Sequence, residues 1–293
     1  MPEAPFVTII VPVWNSPGLI RKCLTALHAQ TYPADRRQII VVDNASTDGT
    51  GAAVREFPSA QLLSEPKPGS YHARNSGLSV ASGDYVAFTD ADCIPAPDWL
   101  ANGIAAAQRR PDAGVLAGYI DLFRTDDTGS EVCERYERLF AFRQDIGAKK
   151  GFCATANWIS PLDVVRGAGG FEADRKSGAD GELAGKIMSS GKPIVFVPDM
   201  IVRHPVRGTF EDLATKRRRL TGGRWSRTPK QGRLIRALSF VAYDTARRLR
   251  ALLVAPGVGL AMRLKLGLLV IRLSSVAAAE LLRLAVRGEP TRA

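Results

Sequence analysis

The chain has no G-x-G-x-x-G after its first apolar run and no Walker A sequence, so neither the dinucleotide-binding turn nor the P-loop is available to hold a diphosphate. The turn in question reads Pro12-Val13-Trp14-Asn15-Ser16-Pro17-Gly18. Cysteine is scarce: Cys23, Cys93, Cys133 and Cys153 include no C-x-x-C pair, which excludes the usual zinc spacings and leaves reduced core thiols as the expectation. No stretch of about 18 residues is both apolar and free of charge, the length a simple transmembrane helix needs. Arg263, Lys265 and Arg272 interrupt the best candidate. A basic segment followed by an apolar cleavable one is also missing at the start, so a cytosolic chain is expected. Repeats and low-complexity tracts are absent.

What is present is unevenly spread. The 40 Lys+Arg and 29 Asp+Glu of the 293 residues give a formal net charge of +11, but residues 1–202 hold 20 against 24, net −4, and residues 203–293 hold 20 against 5, net +15. Such asymmetry points to an anionic partner: nucleic acid, acidic lipid or a phosphate-bearing substrate.

Residues 6–13 are apolar on both faces and bounded by turn residues, as a buried parallel strand is. Ser16-Pro17 opens a helix whose apolar positions Ile20, Leu24 and Leu27 recur at helical spacing until Tyr32-Pro33. A second strand over 38–42 ends in Asp43, a short helix spans 50–57, and a weaker strand lies at 61–63. The β-α-β-α-β order implies a parallel sheet with right-handed crossovers. A helix near 71–81 and a strand over 85–89 then deliver Asp90 and Asp92 to the carboxyl edge, where open α/β sheets bind ligands. Beyond Pro97 the pattern is mixed: a helix to about Arg110, a strand near 114–123, a charged stretch, an apolar segment at 152–160, a helix over 179–190 and strand character over 193–202. From about residue 233 the chain reads as long Arg-bearing amphipathic helices. At about 100° per residue, Lys265, Arg272, Arg283 and Arg287 share one arc.

Two carboxylates at a strand end, Asp90-Ala91-Asp92, form a hard oxygen site suited to Mg²⁺ or Mn²⁺, which also bridge diphosphate oxygens. A lone D-x-D is equally compatible with a solvated turn. Asp43 at the end of another parallel strand favours the site, because both acids then converge on one edge. With no glycine-rich phosphate loop, diphosphate binding has to rest on a cation.

Five ordered segments carry a resemblance: V-T-I-I-V-P-V-W-N, I-I-V-V-D-N-A-S-T-D-G-T, P-G-S-Y-H-A-R-N-S-G-L, A-S-G-D-Y-V-A-F-T-D-A-D-C and P-D-W-L. Over residues 6–100 the chain resembles glycosyltransferase family 2. The resemblance implies an α/β GT-A fold, a mostly parallel sheet flanked by helices, here with C-terminal amphipathic helices. It implies a nucleotide-diphosphate sugar donor with Pro12, Val13 and Asn15 near the nucleobase end, Asp43 on base or ribose, Arg74 near the donor, Asp90 nearer the ribose and Asp92 as the direct metal ligand.

The second half resembles the family less tightly. In A-T-A-N-W-I-S-P, G-G-F-E and S-G-A-D-G-E-L, Asp180 aligns with the family's catalytic base, Ala179 stands where an acid is usual, and Glu182 is a nearby substitute. A base is needed because an acceptor hydroxyl is a poor nucleophile until its proton is taken, and attack opposite the leaving nucleotide inverts the anomeric centre. His204 in I-V-R-H-P corresponds to a histidine that completes the metal site in related enzymes, and Asn157 and Trp158 are placed to contact sugar. Plain structural roles compete at each position: a salt-bridged Arg74, a helix-terminal Asp180, a hydrogen-bonded His204 and a core Trp158. The T-G-G-R-W at 221–225 lacks the glutamine of the Q-x-x-R-W motif of processive members; Arg224 can still meet a diphosphate, and transfer of a single sugar is expected.

These readings give residues 1–232 as the transferase domain (1–100 nucleotide-binding half, 101–232 acceptor half) and 233–293 as a basic helical tail. The expected function is inverting transfer to a lipid-linked or glycan acceptor in cell-envelope polysaccharide synthesis. The tail is expected on an anionic membrane surface at the inner face of the cell membrane. Nucleic acid is disfavoured, because Lys216 to Arg219 lack interleaved aromatics. A catalytically silent sugar-nucleotide-binding scaffold and a nucleotidyltransferase are the alternatives.

Overall fold

Val-Thr-Ile-Ile-Val-Pro-Val presents apolar or β-branched side chains to both faces, and such a run is stable only where both faces are covered. In the computed structural model, which describes residues 3–125 and 129–287 with the exception of the Arg287 side chain, it forms β1 (Val7–Val13), buried along its whole length. The chain continues through α1 (Pro17–His28), β2 (Arg37–Asp43), α2 (Thr50–Arg55), β3 (Ala60–Ser64), α3 (Ser70–Val80), β4 (Tyr85–Phe88), β5 (Ile94–Pro95), α4 (Trp99–Arg109), β6 (Val115–Phe123), α5 (Glu131–Phe140) and α6 (Gln144–Ala148). Then come β7 (Trp158–Pro161), α7 (Leu162–Gly167), α8 (Ala179–Ser189), β8 (Ile194–Pro205), α9 (Phe210–Arg227), α10 (Arg233–Leu253) and α11 (Leu260–Arg287).

These elements fall into two compact units. The first comprises the described residues of Met1–Phe123, Phe142–Asp174 and Ala179–Pro205, and the second those of Arg124–Ala141, Arg175–Gly178 and Val206 onward.

The first unit is built on an eight-stranded sheet of order β3-β2-β1-β4-β7-β6-β8-β5. β3, β2, β1 and β4 run parallel, as the alternation of strands and helices implies, and β8 runs parallel to β6. β7 is antiparallel to both of its neighbours and β5 antiparallel to β8. Helix α3 lies close on β1 because Gly77 has no side chain: a Cβ there would collide with Ile10. This close approach brings the α3 face bearing Tyr71 and Arg74 down to the sheet edge.

In the second unit the charged stretch before residue 142 contains α5, and residues 206–232 cluster with α10 and α11. Cys133 and Tyr136 of α5 and Leu213 and Ala214 of α9 share an apolar core with Leu252, Leu266, Leu269 and Leu273. Five of the ten α5 residues are charged, which hides its narrow apolar stripe from a count of hydrophobic positions.

Much of the tail's positive charge is also used internally. Arg272 lies over the Phe210 ring at 4.1 Å, Arg283 is bonded to Glu280, and Arg263 donates to the carbonyls of Val258 and Ala255. The expected basic arc is therefore partly dissolved by packing; the Arg287 side chain lies outside the described residues.

Buried Asp244 accepts from Arg217, Arg247 and Arg248 at 3.1, 2.7 and 2.9 Å. Burial by itself would raise its pKa, but the Arg248 charge and the bonds from Arg247 and Arg248 overturn this and hold it at about 2. An acid depressed in the folded state stabilises above its unfolded value of roughly 4 and loses that contribution as pH falls toward its folded value. Asp244→Asn is expected to cost about 3 kcal/mol in urea unfolding at neutral pH, because it leaves guanidinium groups without their counter-charge. The difference from the native chain should shrink between about pH 4 and pH 2, and a difference that does not change with pH would show that the charge is not what stabilises.

Candidate active site

The carboxyl ends of β1, β2 and β4 meet at one edge. Val13 pairs with Asp43 in register, and the Asp43 carboxylate accepts the Ser46 N–H at 3.0 Å, folding the loop after β2 back on itself. Asn15, in the left-handed region at φ 43°, donates its backbone N–H to Ser46 Oγ at 2.9 Å and accepts from the Thr47 N–H at 2.9 Å. Asparagine tolerates that conformation better than most residues, so it ties the β1 loop to the β2 loop. Asn44, buried, donates to the carbonyls of Glu65 and Lys67 at 2.9 and 2.7 Å and accepts the Gly69 N–H at 2.6 Å. It thus sets the loop that leads into α3.

Arg74 projects from α3 into a nearly closed position, 4 % exposed, and forms an ion pair with Asp90. Its guanidinium also lies 5.6 Å from the Tyr71 ring and 6.0 Å from the Phe171 ring. Among the described residues its buried Nε–H has no hydrogen-bond partner. Such a group is costly to leave unpaired, and this is the kind of exception that marks a functional site.

The Tyr71 hydroxyl donates to Asp180 Oδ1 at 3.3 Å, and the same oxygen accepts the Gly181 N–H at 2.9 Å. Burial raises the Asp180 pKa; the Gly181 bond, the Arg74 charge and the Tyr71 bond work against that rise, while Asp90 adds to it. Asp90, Arg74, Tyr71 and Asp180 form one connected chain of side chains.

The third group lies around Asp92. Short β5 runs antiparallel to β8 with Ile94 opposite Arg203, which brings the preceding Asp92 and Cys93 alongside His204. His204 Nδ1 bonds the Pro205 carbonyl at 2.7 Å, which directs Nε2 to Asp92 Oδ2 at 3.5 Å. One ligand atom each from Asp92, Cys93 and His204 lie within 4.8 Å of one another. The carbonyl on Nδ1 fixes the tautomer that leaves a lone pair on Nε2, the arrangement typical of ligating histidines. Burial and the two aspartates push the Cys93 thiol well up, so the donor set is carboxylate oxygen and imidazole nitrogen, which fits Mn²⁺ and to a lesser degree Mg²⁺.

This arrangement can be set beside known proteins. The model of glycosyl transferase family 2 matches residues 8–158. Glycosyltransferase AglE of Haloferax volcanii is 34% identical over 226 residues, 75% of this chain and 73% of that protein.

The chain is a member of glycosyltransferase family 2.

Among solved structures, the mannosyltransferase PcManGT of Pyrobaculum calidifontis in complex with GDP-Man and Mn²⁺ is 25% identical, with a TM-score of 0.66 over 96% of this chain and 88% of that one. The fold is GT-A. A Methanococcus voltae protein named dolichyl N-acetyl-alpha-D-glucosaminyl phosphate 3-beta-D-2,3-diacetamido-2,3-dideoxy-beta-D-glucuronosyltransferase is 32% identical over 120 residues, 39% of this chain and 37% of that protein. The chain spans about half the length of several other curated relatives.

For a family 2 glycosyltransferase the candidate residues are placed as follows. Asp43, Arg74, Asp90 and Asp180 belong to one unit, as do Asp92 and His204, which lie 3.5 Å apart. Pro12 and Val13 are buried in β1, while the next residue, Trp14, is 51% exposed at the strand's end. Asn157 is placed differently from the expectation of a sugar contact. It is fully buried, its oxygen accepts from Trp99 Nε1 at 2.8 Å, and its amide donates to the carbonyls of Tyr119 and Met200, both at 2.8 Å. Those bonds span the register shift between Gly118 and Tyr119, where β6 meets β8, so the side chain clasps the sheet internally. Trp158 is likewise core, with Nε1 on Ser160 Oγ at 2.6 Å. Tyr71 and Asn44 escaped the sequence reading. Their signal was present, a tyrosine three residues before Arg74 and an asparagine directly after the strand-ending acid, but the partners that give them a role are distant in sequence.

Proposed function

We propose that the protein transfers a single sugar from a nucleotide-diphosphate donor to a lipid-linked or glycan hydroxyl with inversion, using Asp180 as base and Asp92 with His204 as metal ligands. The observation that carries this reading is the side-chain chain Asp90–Arg74–Tyr71–Asp180. It couples the donor-side acid to the candidate base through a buried cation and a phenol.

In this reading Asp43 hydrogen-bonds base or ribose, Pro12, Val13 and Asn15 form the floor and loop beside the base, and exposed Trp14 offers it a stacking face. Arg74 holds Asp90 in place, and its unpaired Nε–H gives the donor a hydrogen bond. A divalent ion bound at Asp92 and His204 would neutralise charge that develops on the departing diphosphate. Asp180 takes the acceptor proton as the new bond forms, and Tyr71 orients its carboxylate. Ala179, lacking the usual acid, leaves Asp180 to act with only Glu182 nearby. The Methanococcus voltae relative, named for a dolichyl phosphate-linked substrate, supports a lipid-linked acceptor. In the Pyrobaculum calidifontis complex, GDP-Man and Mn²⁺ support the donor and ion classes.

The test is product analysis with candidate nucleotide sugars and Mn²⁺. Nucleoside diphosphate release and inverted anomeric configuration by NMR are expected. Release of pyrophosphate would point to nucleotidyl transfer, and donor binding without turnover on any acceptor would point to a silent scaffold.

No helix among the described residues is long and apolar enough to cross a membrane. Peripheral attachment at the inner membrane face is supported by α11, where Leu260, Leu264, Leu268 and Ile271 are more than half exposed and spaced as one stripe, with exposed Lys265 beside it. Unpartnered apolar surface of this extent marks interaction sites, and a basic margin suits anionic lipid. Leu264→Ser with Leu268→Ser is expected to reduce pelleting with phosphatidylglycerol vesicles several-fold. Equal pelleting of variant and native chain would refute the attachment.

A further inference from the structure

Within the second unit, the end of α9 and the start of α10 enclose an open cavity of about 440 Å³ lined by Arg224, Arg227, Thr228, Pro229, Arg236, Ala237 and Phe240. Three guanidinium groups and a hydroxyl face it, and no acid is among its lining residues. The Arg224 guanidinium lies 3.2 Å from the centroid of the Phe240 ring, so the aromatic face fixes its plane. Neither the Arg224 nor the Arg236 side chain has a hydrogen bond or ion pair with another described residue, whereas Arg227 donates to the Ser177 carbonyl. The carboxylate of Asp244, which could compensate them, is already shared by Arg217, Arg247 and Arg248. Burial lowers the Arg224 pKa and the neighbouring Arg227 charge adds to that, while the Asp244 charge opposes it.

The same corner carries a second cleft of about 500 Å³, lined by Trp225, Lys230, Gly232, Arg233, Leu234, Ile235 and Ala285. Consecutive residues divide between the two: Arg224 and Arg236 line the first, Trp225 and Ile235 the second. Ile235 is 73% exposed, and Tyr243, 65% exposed, follows Arg236 and Phe240 at helical spacing on α10. A planar, donor-rich arginine pair matches phosphate oxygens. Exposed isoleucine and tyrosine beside it suit a boundary between water and hydrocarbon.

We propose that the Arg224–Arg227–Arg236 cavity receives the phosphate group of an amphiphile whose apolar chain occupies the neighbouring Trp225–Ile235 cleft. This deepens the lipid-linked acceptor of the proposed function, on which it rests for the class of ligand only.

The probe is farnesyl phosphate, followed by ³¹P NMR titration into the full chain in EDTA, with inorganic phosphate titrated in parallel. Farnesyl phosphate is expected to bind about tenfold or more tightly than inorganic phosphate, and Arg224→Gln with Arg236→Gln to weaken it about tenfold or more. Ile235→Ser should weaken farnesyl phosphate and leave inorganic phosphate unchanged. The exposed Arg236→Gln alone guards against misfolding and should give a smaller loss of the same kind. Phosphatidylglycerol vesicles that compete beyond phosphatidylcholine vesicles would assign the phosphate to a lipid headgroup; absence of competition would assign it to a phosphate monoester. Either result upholds the site. Native-like binding by the arginine variants, or equal affinity for inorganic phosphate, would overturn it, as would loss of binding in Asp92→Ala. Because the titration needs neither metal nor turnover, failure of the transfer chemistry would leave its outcome intact.

Discussion

Asp92→Ala is expected to lower kcat/KM for sugar transfer by about a thousandfold, corresponding to about 4 kcal/mol of lost transition-state stabilisation. A loss of this size reflects how the site is built. The chain offers no glycine-rich loop to the diphosphate, and Asp92 is the carboxylate set opposite His204 Nε2 at 3.5 Å. Without it, the imidazole and Asp90, already engaged by Arg74, cannot hold a hard cation in place. Thermal unfolding of the native chain should rise with Mn²⁺ plus nucleoside diphosphate and that of the variant should not. The fold should tolerate the change, because Asp92 sits in a turn and is about a third exposed. Metal-stimulated transfer that survives in Asp92→Ala would sink the assignment.

For Asp180→Asn the expectation is a fall in kcat of about a thousandfold with KM little changed, the size of effect removal of a general base produces. Its stability effect should have the opposite sign. Burial raises the Asp180 pKa, so between its unfolded value of roughly 4 and its higher folded value the native state binds more protons than the unfolded one, and stability falls as pH rises. At neutral pH the charged carboxylate is therefore a net burden on the fold, and Asp180→Asn should unfold at the same urea concentration as the native chain or a higher one. The transfer rate of the native enzyme should climb with pH through a limb lying above the ordinary carboxylate range, and that limb should vanish in the variant. Loss of activity accompanied by clear destabilisation would instead identify Asp180 as a helix-terminal structural acid.

The two halves of the molecule differ in how far they could be read. In the first, strands buried on both faces announce themselves by apolar runs, and the acids that end them, Asp43 and Asp90, necessarily share an edge once the strands are parallel. α5 and α9 were not legible, because their apolar residues are few and acquire meaning only against Leu252, Leu266, Leu269 and Leu273 of helices far along the chain. Asn157 shows the same limit at one residue. Its neighbourhood in the sequence suggested a sugar contact, yet its amide is consumed by carbonyls 38 and 43 positions away.

By itself, then, the sequence determined the parallel half of the sheet, the strand-end acids and the family, because these rest on local periodicity and on short motifs in fixed order. Only the tertiary structure decided which acids meet which cations. The antiparallel β5–β8 pairing brings Asp92 to His204, the close seating of α3 at Gly77 brings Arg74 to Asp90 and Tyr71 to Asp180, and the packing of α9, α10 and α11 consumes much of the tail's positive charge. The physical reason is range: hydrophobic patterning acts over a few residues, whereas an ion pair or a ligand set exists only after distant segments have been brought within a few ångströms.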